Sequence, residues 1–199
     1  MKILAFSDTH GDIKKIRELA EKSEKENVDL VLMCGDFTYF DELPPYLIKP
    51  FKDRGKKVLF IPGNHESRHT SEFLSRFYNI TNLDGAYAIY GNVALIGCGG
   101  GNMPPNIVSD DEIIYKIRNA NKKVAGFKKK IIVTHVHPSS AKIDRLLPGS
   151  GSKGLKKIIE EIQPDIVICG HIHEASGTED VIGKTKVINV AKTSKIIEI

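Results

Sequence analysis

Cysteine is scarce in this chain. Cys34, Cys98 and Cys169 are odd in number, far apart, and each flanked by apolar residues or glycine. That excludes a disulfide framework as the basis of the fold and suits reduced, buried thiols in a cytoplasm. Long apolar runs are missing too. The longest are strand-sized, well short of the ~20 residues a membrane helix requires, so no bilayer span is expected. The N-terminal "MKILAFSD" has one lysine and a brief apolar run but no cleavable signal architecture. Clustered charge is also absent. The net charge is +4, and the lysines fall in scattered groups such as Lys14-Lys15, Lys56-Lys57 and Lys128 to Lys130. This reads as a solvated surface, since a dedicated nucleic-acid domain is more basic and concentrates its charge. Glutamine occurs once against 26 isoleucines, with abundant Lys and Glu, a composition that leans thermophilic. Internal repeats, low-complexity tracts and interdomain linkers are missing.

What is present is enough for one good core. With 199 residues, 41% of them hydrophobic, a single globular domain over 1–199 is expected. Short runs rich in Ile, Val and Leu alternate with amphipathic stretches, the pattern of strands and helices packed in layers. Strands are predicted at 2–8, 29–36, 57–64, 129–137 and 164–171, and a hairpin over 86–100 turns at Gly91-Asn92. Helices are predicted at Ile13 to Lys25 behind an Asp12 cap, around Tyr46 to Asp53, near Ser71 to Phe77, from Asp110 to Val124 and over 155–162. The segments 179–190 and 194–199 read as closing antiparallel strands.

Five strands end in polar clusters: "SDTHGD", "CGD", "PGNHE", "VTHVHP" and "CGHIHE". Six of the seven histidines lie in them, and only His69, read as an exposed loop residue, falls elsewhere. In sheets with helices on their faces, sites assemble beyond the carboxyl ends of the strands, so these ends are expected to meet. Asp, Asn and neutral imidazole suit divalent first-row metals, and the lack of sulfur ligands argues against a structural zinc site. Asp8, His10, Asp36, Asn64, His135, His171 and His173 are too many ligands for one tetrahedral ion. They suit two ions sharing a carboxylate.

The order D-x-H, G-D, G-N-H-[DE], a lone histidine and G-H-x-H spans Asp8 to His173. Each string is weak alone, but together and in order the chain resembles the calcineurin-like metallophosphoesterase superfamily. The resemblance implies an α/β sandwich of two packed mixed β-sheets flanked by helices. It implies that Asp8, His10 and His173 hold one metal, that Asn64, His135 and His171 hold the other, and that Asp36 bridges them. Alternation along a strand end is expected to send the two histidines of "GHIH" to different ions. His135 follows "IIVT" directly and matches the family position, so it is preferred to His137. His65 is expected over the cluster, stabilising or protonating the departing oxygen. The ions are expected to be Mn, with Fe, Ni, Zn or Mg as alternatives.

The implied activity is hydrolysis of a phosphate ester by attack of a metal-bridging hydroxide. The chain has no room for the large capping domains of repair nucleases, so a small phosphodiester or cyclic nucleotide ranks first as substrate. A nuclease on DNA or RNA is the alternative, although nucleic acid is not indicated as a partner. A non-catalytic metal-binding scaffold like the small retromer subunit is the remaining one; no membrane partner is expected. Glu66 is read as a hydrogen-bonding neighbour of the cluster, and Cys34 and Cys169 as core. The stretches 100–108 and 139–153 are expected at the rim, with Lys142, Arg145 and Lys153 as surface charges.

Overall fold

The computed structural model describes all residues from Met1 to Ile199. The chain opens with β1 (Lys2–Phe6), α1 (Ile13–Lys25), β2 (Leu30–Cys34), α2 (Lys49–Asp53), β3 (Lys57–Ile61), α3 (Arg68–Tyr78) and β4 (Thr81–Asn82). It continues through β5 (Tyr87–Tyr90), β6 (Val93–Cys98), α4 (Asp110–Lys123), β7 (Lys129–Thr134), α5 (Lys142–Leu146) and α6 (Lys153–Ile162). The last elements are β8 (Ile166–Cys169), a 3-10 turn (His173–Ala175), β9 (Glu179–Ile182), β10 (Thr185–Asn189) and β11 (Ser194–Glu198).

Two mixed sheets result. One has the order β11-β1-β2-β3-β4, with β11 antiparallel to β1 and the rest parallel. The other has the order β5-β6-β7-β8-β10-β9, parallel in the middle with antiparallel β5 and β9 at its edges. The central strands are buried on both faces, which is why they read as continuous apolar runs. Alternation then sorts the side chains into layers. Ile3, Ala5, Leu30 and Leu32 meet Leu95, Ile131, Val133 and Ile168 between the sheets. Leu4, Phe6, Val31 and Met33 face Ile16, Leu19, Phe51 and Leu74 of the helices on the first sheet. On the far side, Ala94, Ile96, Ile132 and Val167 pack against Ile113, Ile117, Leu155 and Ile158 of α4 and α6. The architecture is thus helix, sheet, sheet, helix, the expected α/β sandwich.

The helix starts follow local capping. Asp12 accepts from Lys15 N at 2.9 Å, as expected. Ser67 does the same for α3, accepting from Thr70 N, so that helix begins at Arg68 rather than near Ser71. His69 therefore sits in the first helical turn, exposed, and not in a loop. The 139–153 stretch is less irregular than expected, since α5 forms inside it. Cys34 and Cys169 are fully buried core residues.

Candidate metal centre

The expected ligands lie beyond the strands rather than on them. β1 ends at Phe6 and β8 at Cys169, and the backbone then leaves the pleat through left-handed residues: Asp8 (φ 59°), His10 (φ 44°), Asp36 (φ 51°) and His171 (φ 71°). Non-glycine residues there cost roughly 1–2 kcal/mol each, a strain that clusters at functional sites. The "GHIH" histidines consequently part company for a different reason than expected. Left-handed His171 turns the chain and His173 starts the 3-10 turn, so strand alternation plays no part.

The loops after β1 and β2 are stitched together, Asp8 N donating to Gly35 O at 3.1 Å and His10 N to Asp36 O at 2.9 Å. Glycines let them close. A Cβ on Gly63 would overlap Asp36, one on Gly35 would overlap His135, and one on Gly170 would overlap Ser7 and crowd Asp8. Beneath the cluster the buried Glu66 carboxylate accepts from Asp36 N, Gly63 N, Thr38 N and Thr38 Oγ1 at 2.7–2.9 Å, tying the loops after β2 and β3 into one unit.

Three groups of residues could hold a metal ion, each with ligand atoms within 4.8 Å of one another. Asp8 Oδ1 lies 3.1 Å from His173 Nε2 and 3.8 Å from His10 Nε2, and those two nitrogens are 3.3 Å apart. Asp36 groups with His135 and His171, its Oδ2 3.2 Å from His135 Nε2, and again with His10 and His65. Asp36 therefore stands between the two sides of the cluster. Asn64 follows Gly63, and its buried Oδ1 has no hydrogen-bond partner, nor has His135 Nε2 in the cluster; His10 Nδ1 and His137 Nδ1 are also unpartnered, but neither is a nitrogen that faces the grouped ligand atoms. Buried polar atoms are nearly always satisfied, so orphaned donors to a hard or borderline cation fit a metal site.

Hydrogen bonds set the tautomers. His135 Nδ1 donates to Cys34 O at 2.9 Å, which turns Nε2 toward Asp36; Nε2 is the nitrogen that would give up its proton to a metal. His171 Nε2 donates to Asn102 Oδ1 at 2.8 Å, and Asn102 Nδ2 donates to Ser150 O at 2.7 Å. His65 Nδ1 accepts from Phe40 N at 3.3 Å, so its proton is on Nε2, 3.7 Å from Asp36 Oδ2. Burial brings His10 and His171 down to about 4, keeping them neutral and available to a metal. Burial opposes charge on His135 as well, but Asp36 overrides it and raises that imidazole to about 10. Asp36 is itself held low by His135 against the effect of burial. Burial and Asp36 push Glu66 up to about 7, against the four donors that favour its carboxylate.

Asp8, His10 and His173 thus come together, as do Asp36, His135 and His171, with His65 alongside. His137 does not join them; its Nε2 lies 3.3 Å from Ser150 Oγ. The two rim stretches meet over His171 through Asn102 and Ser150. No sequence signal singled out Asn102, one of two asparagines in a glycine- and proline-rich loop. Lys142, Arg145 and Lys153 are exposed, and Lys142 N donates to Asp180. Sequence reasoning also passed over Tyr39 and Phe40, whose rings lie 5.2 and 4.3 Å from that of His65.

An uncharacterised protein of Methanocaldococcus jannaschii is 30% identical over 99% of this chain and 91% of its own length. A phosphodiesterase of the same organism is 35% identical over a shorter stretch, 33% of this chain and 37% of that protein. Among solved structures, a Thermus thermophilus protein superposes with a TM-score of 0.76 at 14% identity, over 94% of this chain and 88% of that one. The calcineurin-like phosphoesterase family model matches residues 1–175, the span that carries every group of the cluster, and the chain belongs to that family.

Proposed function

We propose that the protein is a hydrolase of small phosphodiesters that works with two divalent ions. The observation that carries this reading is the position of Asp36, which groups with His135 and His171 on one side and with His10 on the other. Asp8, His10 and His173 would hold one ion, Asn64, His135 and His171 the second, and Asp36 both. The donors are oxygen and imidazole without sulfur, which fits Mn first and Fe, Ni, Zn or Mg after it. When bound, such a pair neutralises phosphoryl charge and acidifies a water.

The chain's own groups supply position and a hydrogen-bond donor. His65 presents Nε2–H toward the cluster and is fixed from behind by Phe40 N–H. As the water oxygen bonds to phosphorus and the bond to the departing oxygen breaks, that N–H can donate a hydrogen bond to the oxygen on which charge develops, and the proton the attacking water gives up is the one the departing alkoxide gains through solvent. Asn102 holds His171 in one tautomer, and Glu66 holds the Asp36 loop. Three buried thiols suit a reducing cytoplasm, and no helix is long and apolar enough to cross a membrane. The phosphodiesterase relative favours diesters over monoesters.

The test pairs elemental analysis with turnover. Metal-loaded protein should carry two ions, and Asp36→Ala should lose metal from both positions and lose activity. Aryl phosphodiesters should be cleaved with the higher kcat/KM. At most one ion in the loaded wild type defeats the two-ion reading, and a tenfold preference for monoesters, about 1.4 kcal/mol at the transition state, defeats the diester reading.

A further inference from the structure

The residues between β2 and α2 place a group of apolar side chains on one rim of an otherwise polar cluster. Tyr39, Phe40 and Leu43 are 51%, 54% and 40% exposed. The ring of Tyr39 stacks on His65 at 5.2 Å and 24°, and Phe40 meets the same imidazole edge-on at 4.3 Å. Beside them a cavity of about 300 Å³ is lined by His10, Gly11, Tyr39, Glu42, Leu43 and Pro44.

This rim is built, not loose. Glu42 N donates to Tyr39 O at 3.0 Å, closing a turn whose central residues are Phe40 (φ 48°) and Asp41 (φ 64°). Two consecutive left-handed residues make the type I′ pattern, which ordinarily takes Asn-Gly. A phenylalanine there is an outlier. The turn is clamped to the His65 segment by Asp41 N to His65 O at 3.0 Å, Ser67 N to Asp41 Oδ1 at 2.7 Å and the Phe40 N–H on His65. A strained turn, pinned at three points, holds aromatic rings out to solvent against the residue proposed to serve the departing oxygen.

We infer that this cavity is the leaving-group subsite and that it takes a flat ring, so the substrate is a small phosphodiester whose departing alcohol is a nucleoside. The inference rests on the phosphodiesterase reading and deepens it. A departing alcohol that accepts a hydrogen bond from His65 can extend past the Tyr39 ring stacked on that imidazole into the cavity, where a π face and the aliphatic Leu43 and Pro44 await it. Bases of every kind offer a π face to such rings. About 300 Å³ lies at the small end of ligand pockets and accommodates one ring system. Glu42 at its wall repels a further phosphate, which favours a nucleoside over a continuing polynucleotide strand.

The experiment compares 2′,3′-cyclic AMP with the 2′,3′-cyclic phosphate of methyl β-ribofuranoside, two cyclic esters of the same vicinal diol that differ in the base. Wild-type protein should favour the nucleotide in kcat/KM by about tenfold or more, the scale of base stacking on an aromatic side chain. Tyr39→Ala and Phe40→Gly should each shrink that ratio, chiefly through KM, while Tyr39→Phe should keep it. Phe40→Gly relieves the turn as it removes the ring, so it guards against a result due to misfolding. Calorimetric titration with adenosine gives a reading independent of turnover. Equal efficiency on both esters, or a ratio unmoved by Tyr39→Ala, overturns the subsite, and so does a preference for long oligonucleotides over the cyclic nucleotide. If wild type binds adenosine, Tyr39→Ala does not, and neither ester is cleaved, the subsite stands and the phosphodiesterase reading falls. No binding and no cleavage removes both.

Discussion

His65 differs from its neighbours in what its two nitrogens do. One accepts a backbone N–H from Phe40, and the other carries a proton toward the cluster. Asn64 beside it has an orphaned oxygen and no proton to give from that atom. Adjacent residues of one loop are thereby fitted for different tasks, metal binding and hydrogen-bond donation. We expect His65→Asn to leave two ions bound and to slow kcat about 10²- to 10⁴-fold, the range for a group positioned on the departing oxygen. The loss should be largest for poor leaving groups and smaller for activated aryl esters. Metal analysis beside a leaving-group series checks this; full occupancy with unchanged kcat on an unactivated ester removes His65 from the chemistry, and loss of metal makes it a ligand.

At the level of elements, the sequence was most legible where burial is total. β1, β2, β3 and β7 were visible as apolar runs, and the capped helices α1 and α4 by their stripes and first turns. Less legible was the conformation just beyond each strand. A left-handed Asp8 or His171 carries no pattern of its own, so the apolar runs overstate the strands and alternation does not account for the parting of His171 and His173. β4, two residues long, and α5, one turn inside a glycine- and serine-rich stretch, were below the reach of periodicity. The groups of the cluster were legible because their residue types recur in order, whereas Asn102 and Tyr39 depend on how loops fold back. His137 shows the same limit. It is a latch between β7 and the 139–153 stretch, with Ser152 N donating to His137 O at 2.9 Å and Ser150 Oγ 3.3 Å from its Nε2. Burial depresses it to about 4, with Asp144 opposing. A depressed histidine stabilises the fold above its unfolded pKa near 6.5, and that contribution disappears as pH falls from there through 4. Urea titrations of chelator-treated protein should therefore lose up to about 3 kcal/mol from this residue between pH 7 and pH 4. His137→Gln should flatten that part of the slope; an unchanged slope contradicts the assignment.

Across the whole molecule, the cluster takes its groups from both sheets. Asp8, His10, Asp36, Asn64 and His65 follow strands of the first, and His135, His171 and His173 follow strands of the second. Ions held by both would bind the docked state and not the unfolded chain. Stability should accordingly rise with metal concentration, by about 2.7 kcal/mol at a hundredfold excess over Kd, and chelation should reverse it. Thermal melts across a Mn or Zn series read this directly, and a midpoint indifferent to metal argues against binding at the junction. The closeness of Asp8 and His173, 3.1 Å apart across 165 positions of chain, bears on the order of events in folding. Closing so long a loop has an entropic cost that only the packed interior between the sheets can offset. A metal cannot seed this fold as zinc seeds a finger, because Asp8 and His10 alone are neighbours within a set and each set of ligands is completed only from a distant part of the chain. The ions would enter last, and their uptake would time-stamp the completed molecule.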